Sequence, residues 1–218
     1  MVKNIFFDLD GTLTDPREGI TKSVAYALEY YGIHVEDTDS LCKFIGPPLA
    51  GAFEEFYGFS KEKAEEAVWK YRERFSTIGI FENSVYDGIE EMLKKLKKAG
   101  FKLVVATSKP TVYSKKILEH FGLSEYFDEV VGSELNGERT DKAEVIEYAL
   151  KTQNAVRSET IMVGDRKHDI IGAAKNGLKS VGVLFGYGDC KELKEAGADR
   201  IAGSVSELEK ILLTEGEL

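Results

Sequence analysis

Residues 8–15 read Asp-Leu-Asp-Gly-Thr-Leu-Thr-Asp, directly after the apolar run Ile5-Phe6-Phe7. Side chains alternate along a strand, so Asp8 and Asp10 fall on one side if the extended conformation persists through Leu9. Two carboxylates so placed repel when both are ionised, which favours either a cation between them or one retained proton. Both states suit group transfer at phosphorus: one carboxylate can attack to give an acyl phosphate, and a second carboxyl can protonate the leaving alcohol and later activate water. A second acidic pair lies in Gly164-Asp165-Arg166-Lys167-His168-Asp169, after the apolar run Ile161-Met162-Val163. With a helix starting near Arg166, Asp169 sits in its first turn and can turn back toward Asp165. Hard oxygen ligands of this kind suit Mg²⁺, which takes one or two carboxylates and keeps several waters, and no Cys or His cluster has the spacing of a zinc site.

Two further pieces complete the set. Thr107 and Ser108 stand at a strand-to-helix junction, where hydroxyls and backbone N–H groups can cradle a phosphate beside the positive end of the following helix. Lys142 opens the next helix, and its compact charge can hold a carboxylate and neutralise phosphoryl oxygens. For Lys109 a solvated position and a position in the site stay equally open. His168 suits no triad spacing and reads as structural.

The elements that must position these residues form an α/β pattern. Short apolar runs at 5–7, 103–106, 130–131, 161–163 and 181–184 alternate with helical patterns at 89–98, 112–121, 143–151 and 170–176. Unbroken apolar runs of this length are strands of a parallel sheet covered on both faces, here a doubly wound, mostly parallel, Rossmann-like sheet. Most of them end in Asp8, Thr107, Ser133 or Asp165, and ligands in such sheets bind outside the carboxyl ends of the strands. The alternation breaks from Arg17 to about Ile80, where the periodicity is helical, with helices expected near 18–31, 47–57 and 60–77. This predicts a core over 1–15 and 81–218 with an inserted helical unit over 16–80. Asp15-Pro16 leads out, Gly79 with Glu82-Asn83 leads back, and residues 214–218 are expected to fray. The stripe Phe53, Phe56, Tyr57 and Phe59 reads as the core of the insertion.

At this point the sequence resembles the haloacid dehalogenase superfamily, in its phosphoglycolate phosphatase-like branch. The resemblance rests on Asp8 to Asp15 (including Gly11 and Thr12), Thr107, Lys142, and Gly164-Asp165 with Asp169, in the family's order and over nearly the whole chain. It implies a phosphatase with Asp8 as nucleophile and Asp10 as acid/base. It also implies Mg²⁺ held by Asp8, Asp165 and the Asp10 carbonyl, and an insertion that is a mobile cap. Gly46-Pro47-Pro48-Leu49 and Gly164 to Ile170 are similar to members described as phosphoglycolate phosphatases or 5′-nucleotidases, which makes the expected substrate a small soluble phosphate ester. Lys43, three residues before Gly46, stands where a basic residue that reaches substrate is expected. A phosphomutase or pyrophosphatase of the same superfamily, and a non-catalytic phosphoacceptor module, are the alternatives. Asp10-Gly11-Thr12 and the helical insertion weigh against the last.

The chain's 218 residues, 43% hydrophobic and 31% charged, are enough for one large domain carrying an insertion. A net charge of -9 argues against capture of a nucleic acid polymer or an anionic membrane. No apolar run approaches the roughly 20 residues of a membrane span. Two distant cysteines and a start directly in a strand-like segment make the cytoplasm the expected location. A monomer and a homodimer are both compatible with the sequence.

Overall fold

The computed structural model describes residues 1–215. In chain order it contains β1 (Asn4–Phe7), β2 (Thr14–Asp15), α1 (Arg17–Tyr30), α2 (Leu49–Tyr57), α3 (Lys61–Arg74), β3 (Ser84–Val85), α4 (Ile89–Lys98), β4 (Lys102–Pro110) and α5 (Thr111–His120). These are followed by β5 (Glu129–Ser133), α6 (Lys142–Thr152), β6 (Thr160–Gly164), α7 (Lys167–Lys175), β7 (Lys179–Val183), α8 (Cys190–Glu195), β8 (Arg200–Ala202) and α9 (Val205–Glu215). Two compact units result: Met1–Asp15 with the chain from Val85 onward, and Pro16–Ser84. The return to the first unit thus falls at Val85 rather than at residue 81.

The first unit is built on a six-stranded sheet of order β5-β4-β1-β6-β7-β8, with every adjacent pair parallel. All four residues of β1 are buried, which explains the absence of polar alternation in Asn4-Ile5-Phe6-Phe7. In register, Phe6 faces Val104 on one side and Met162 on the other. Those residues, with Ala106 and Val131, pack against Val145, Ile146, Ala149 and Leu150 of α6. Helix α4 shows the sequence logic most directly. Ile89, Met92, Leu93 and Leu96 recur at helical spacing and are fully buried, each burial stabilising by about 1.5–3 kcal/mol. Glu90 and Glu91 lie in its first turn and Lys95, Lys97 and Lys98 in its last, complementing the helix dipole, and Gly100 beyond its end takes a φ of 90°.

This strand order makes β1 the switch point, with β4 on one side and β6 on the other. Asp8 and Asp165, which directly follow β1 and β6, and Thr107 within β4 are therefore neighbours.

The second unit is helical. Its aromatic residues pack together: Phe44 lies 5.0 Å from Phe53, and Phe53 stacks on Phe59 at 5.9 Å. Phe53 and Phe59 are buried, whereas Phe56 and Tyr57 are half-buried. The expected helix over 60–77 stops at Arg74 and passes into one wide π turn over Phe75–Gly79. Gly79 is more than a turn residue: a Cβ on Gly19 would lie 1.9 Å from the Gly79 carbonyl oxygen, so the two glycines allow α1 and this turn to touch. Arg74 closes the same region with two bonds to Glu82, at 2.7 and 2.9 Å.

Several elements lie outside the expected pattern: β2, β3, β8, α8, α9 and a 3₁₀ segment at Thr38–Phe44. β8 has three residues and α8 buries only Leu193 completely, so neither offers a periodic window to read. α9 does carry the pattern, in Leu208, Ile211 and Leu212. It takes in Thr214 and Glu215 from the stretch expected to fray, and residues 216–218 lie outside the described part of the chain.

Candidate active site

The loop after β1 sets the geometry. The Leu9 carbonyl accepts three N–H groups, from Thr12 at 3.2 Å, Leu13 at 2.9 Å and Thr14 at 3.0 Å, and Gly11 N–H donates to the Thr14 carbonyl at 2.8 Å. So tight a return requires positive φ, which Gly11 adopts at 82°. Thr12 is fully buried within this turn. Asp8 N–H still belongs to the sheet, donating to Val163 O at 2.9 Å.

Lys142, capped into place at the start of α6 by Asp141, is buried and donates to Asp8 Oδ1 at 2.7 Å and to the Ala106 carbonyl at 3.1 Å, with Asp169 Oδ1 2.8 Å away. An ammonium has three protons, and three acceptors surround this one. Burial opposes its charge, but Asp169 and Asp8 outweigh that and raise its pKa. Asp169 is reached by a fold-back that Gly164 permits: a Cβ on Gly164 would lie 2.2 Å from Asp169 Cγ. Asp169 Oδ2 accepts from Arg166 N–H at 3.0 Å, so this acid caps its own helix while pairing with Lys142. Burial pushes its carboxyl up to about 6 against the pull of Lys142.

Asp165 is fully buried in a cradle of backbone. A Cβ on Gly11 or Gly186 would come within 2.5 Å of its side chain, and one on Gly188 would lie 1.9 Å from its carbonyl oxygen. Tyr187 N–H donates to Asp165 Oδ2 at 2.8 Å, and the Tyr187 hydroxyl donates to Asp15 Oδ1. Burial, with Asp169 and Asp8 nearby, holds the Asp165 carboxyl well above the usual carboxylate range.

Asp8, Asp165 and Asp169 each offer a buried carboxylate oxygen, all within 4.8 Å of one another. Asp165 Oδ1 is buried with no hydrogen-bond partner among the described residues. With Asp10, four buried carboxylates face two buried lysines, an excess of two formal negative charges. Hard oxygens, an orphaned acceptor and that excess fit a divalent cation.

Asp10 differs from its neighbour. Its Oδ2 accepts from Lys109 Nζ at 2.6 Å, and burial raises its carboxyl above the ordinary value although Lys109 pulls the other way. Lys109 thus lies in the site, resolving the two positions that the sequence left open.

Thr107 is buried, and its Oγ1 accepts from Lys109 N–H at 3.2 Å, so that N–H is already engaged. A hydroxyl that accepts still has its own proton to donate. Ser108 is half-buried and its carbonyl accepts from Ser133 Oγ at 2.8 Å. β4 does not stop at Thr107 but continues to Pro110 with a register shift against β5. Lys43 lies in the other unit, its Nζ 4.6 Å from the Phe56 ring centroid and 5.4 Å from that of Tyr57. Among the residues that meet at Asp165, Gly186, Tyr187 and Gly188 were not anticipated. The Gly-Tyr-Gly after the apolar run at 181–184 was the available signal.

A family profile described as haloacid dehalogenase-like hydrolase matches residues 5–183. A 5′-nucleotidase of Pseudomonas aeruginosa is 46% identical over 209 residues, 96% of this chain and 95% of that one. The tyrosine-protein kinase PtkA of Mycobacterium tuberculosis is 40% identical over 184 residues, 84% of this chain but 62% of PtkA. The crystal structure of a predicted phosphatase from Clostridium acetobutylicum superposes with a TM-score of 0.97 at 55% identity, covering 98% of this chain and 99% of that one.

Proposed function

The chain belongs to the haloacid dehalogenase-like hydrolases and is a phosphatase of phosphate esters, and we propose that it works with Mg²⁺ through an aspartyl-phosphate on Asp8. The observation that carries this reading is the separation of the two acids at the end of β1: Asp8 is held by Lys142 among the buried carboxylates, whereas Asp10 is held by Lys109 with its carboxyl raised. One is placed to attack as a carboxylate and the other to give up a proton.

Asp8 and Asp165 would hold the metal, with the Asp10 carbonyl as a further ligand, and the ion would supply charge compensation for the phosphoryl group. Asp169 Oδ2 accepts from Arg166 N–H and its Oδ1 is ion-paired with Lys142 at 2.8 Å, so its part in this reading is to orient Lys142. Lys142 fixes the direction from which Asp8 attacks. Thr107 donates its hydroxyl proton to a phosphoryl oxygen, with Ser108 N–H beside it. After attack, Asp10 protonates the leaving oxygen, then takes a proton from the water that hydrolyses the aspartyl-phosphate.

Dialysis against chelator should abolish turnover and added Mg²⁺ should restore it. Full activity in excess EDTA after dialysis would reject the metal assignment.

The similarity to the Pseudomonas 5′-nucleotidase makes nucleoside 5′-monophosphates the first substrates to rank, with phosphoglycolate beside them, by kcat/KM. The core acids touch only the phosphoryl group that all esters share, so discrimination must lie with groups that reach the leaving part. Lys43 is the proposed contact. Loss of a charge-assisted bond of about 1.5–3 kcal/mol in Lys43→Ala should lower kcat/KM for the preferred anionic ester at least about tenfold. A small aryl phosphate should be far less affected. If both esters or neither lose activity, the amine serves only to cover the Phe56 and Tyr57 rings.

A further inference from the structure

Lys109 is a buried charged side chain to which the reading above gives no step. Its backbone is built into position. Thr107 Oγ1 accepts from its N–H, Ser133 Oγ donates to the adjacent Ser108 carbonyl, and Gly132 leaves room for its carbonyl, since a Cβ there would lie 2.2 Å from Lys109 O. These supports fall where β4 shifts register against β5. They deliver Nζ to Asp10 Oδ2 at 2.6 Å, with side-chain exposures of 6% and 12%. A pair this buried persists only with good geometry.

An ammonium has protons and no acceptor, so the carboxylate oxygen it touches must accept. A proton on Asp10 therefore sits on Oδ1, which is buried with no hydrogen-bond partner among the described residues. We propose that Lys109 is a positioning residue that holds Asp10 by Oδ2 and so directs Oδ1 to carry the proton in both half-reactions. The proposal rests on the reading of Asp10 as acid/base. In the first half-reaction the Asp8–phosphorus bond forms, the ester P–O bond breaks, and the Oδ1 proton goes to the leaving oxygen. In the second, water oxygen bonds to phosphorus, its proton returns to Oδ1, and Asp8 leaves as a carboxylate.

The test is Lys109→Met, compared with Asp10→Asn and the double variant, on a nucleoside 5′-monophosphate and on an activated aryl phosphate whose leaving group needs no proton. kcat/KM reports steps up to phosphoenzyme formation. In Lys109→Met it should fall roughly 10–100-fold for the nucleotide, part of the 10²–10⁴ typical of proton-transfer catalysis. For the aryl ester it should stay within about threefold, while kcat and KM fall together because hydrolysis of the phosphoenzyme is slowed. Adding Lys109→Met to Asp10→Asn should cost nothing further, as expected of residues acting through one another. Lys109→Arg, which keeps a donor, should recover part of the loss on the nucleotide, and it serves as the test should the Met variant fail to fold. Equal losses of kcat/KM on both esters would make Lys109 a phosphoryl contact and overturn the proposal, as would additive losses or none. If Asp10→Asn itself left nucleotide turnover intact, the acid/base reading would fall and this proposal with it. If only Asp10→Asn were impaired, the proposal alone would fall.

Discussion

Asp8→Asn should remove turnover of every phosphate ester, by on the order of 10⁴-fold or more, while leaving the fold intact. Asn is isosteric and its Oδ1 can still accept from Lys142 Nζ, so the buried hydrogen bond at 2.7 Å survives. What is lost is the negative charge that makes the attacking oxygen nucleophilic, since a neutral amide oxygen is a poor nucleophile toward phosphorus. Acid quenching of a reaction with labelled aryl phosphate should trap no label on Asp8→Asn. Asp10→Asn differs in kind. It should still form phosphoenzyme from the aryl ester, whose leaving group needs no proton, but hydrolyse it slowly and so accumulate label. Wild-type turnover by Asp8→Asn would end the assignment of the nucleophile.

The second large effect concerns Lys142. Its ammonium lies between two buried acids and a main-chain carbonyl, so Lys142→Met leaves Asp8 and Asp169 facing each other without a cation. Breaking a buried pair by removing one partner costs about 3–5 kcal/mol. For a chain of this size that corresponds to a fall in Tm of roughly 6–20 °C. Part of the cost is relieved by protonation of Asp169, whose carboxyl burial already pushes up to about 6. The measurement is thermal unfolding of metal-free protein together with turnover. Adding Asp169→Asn should return part of the stability, because one uncompensated charge goes, but none of the activity. A Lys142→Met protein that melts with the wild type would show that the ammonium does not hold this site together.

Much of this site was legible because it is local to strand ends. Asp8 and Asp10 are two residues apart, Asp165 and Asp169 four, and each pair follows an apolar run, which marks it as lying at a strand end where ligands bind. The central strands and the helices α4 to α7 were legible for a related reason: burial on both faces, or on one stripe, writes a pattern into the sequence. What was hidden depends on contacts distant in sequence. Nothing near Lys109 announces that its amine meets Asp10, a residue 99 positions away. The supports come from Thr107, Gly132 and Ser133, and two of those lie on another strand. Tyr187 likewise meets Asp165 through its main-chain N–H, which any residue but proline could supply. The helix expected over 60–77 ends at Arg74 because Phe75–Gly79 winds as a π turn, which has no periodic signature.

The glycines around Asp165 bear on how this site can change over generations. A carboxylate lined by side chains can be retuned by substituting its neighbours one at a time, each step a small move. Here Gly11, Gly186 and Gly188 put main chain where such neighbours would stand, and the smallest available change, a single methyl group, collides with the acid or its carbonyl. Gly11 is doubly constrained by its backbone conformation. Point mutation therefore has no gradual path at this acid. The chemistry at phosphorus is insulated from drift, and adaptation to new esters is left to residues that never touch the Asp165 pocket.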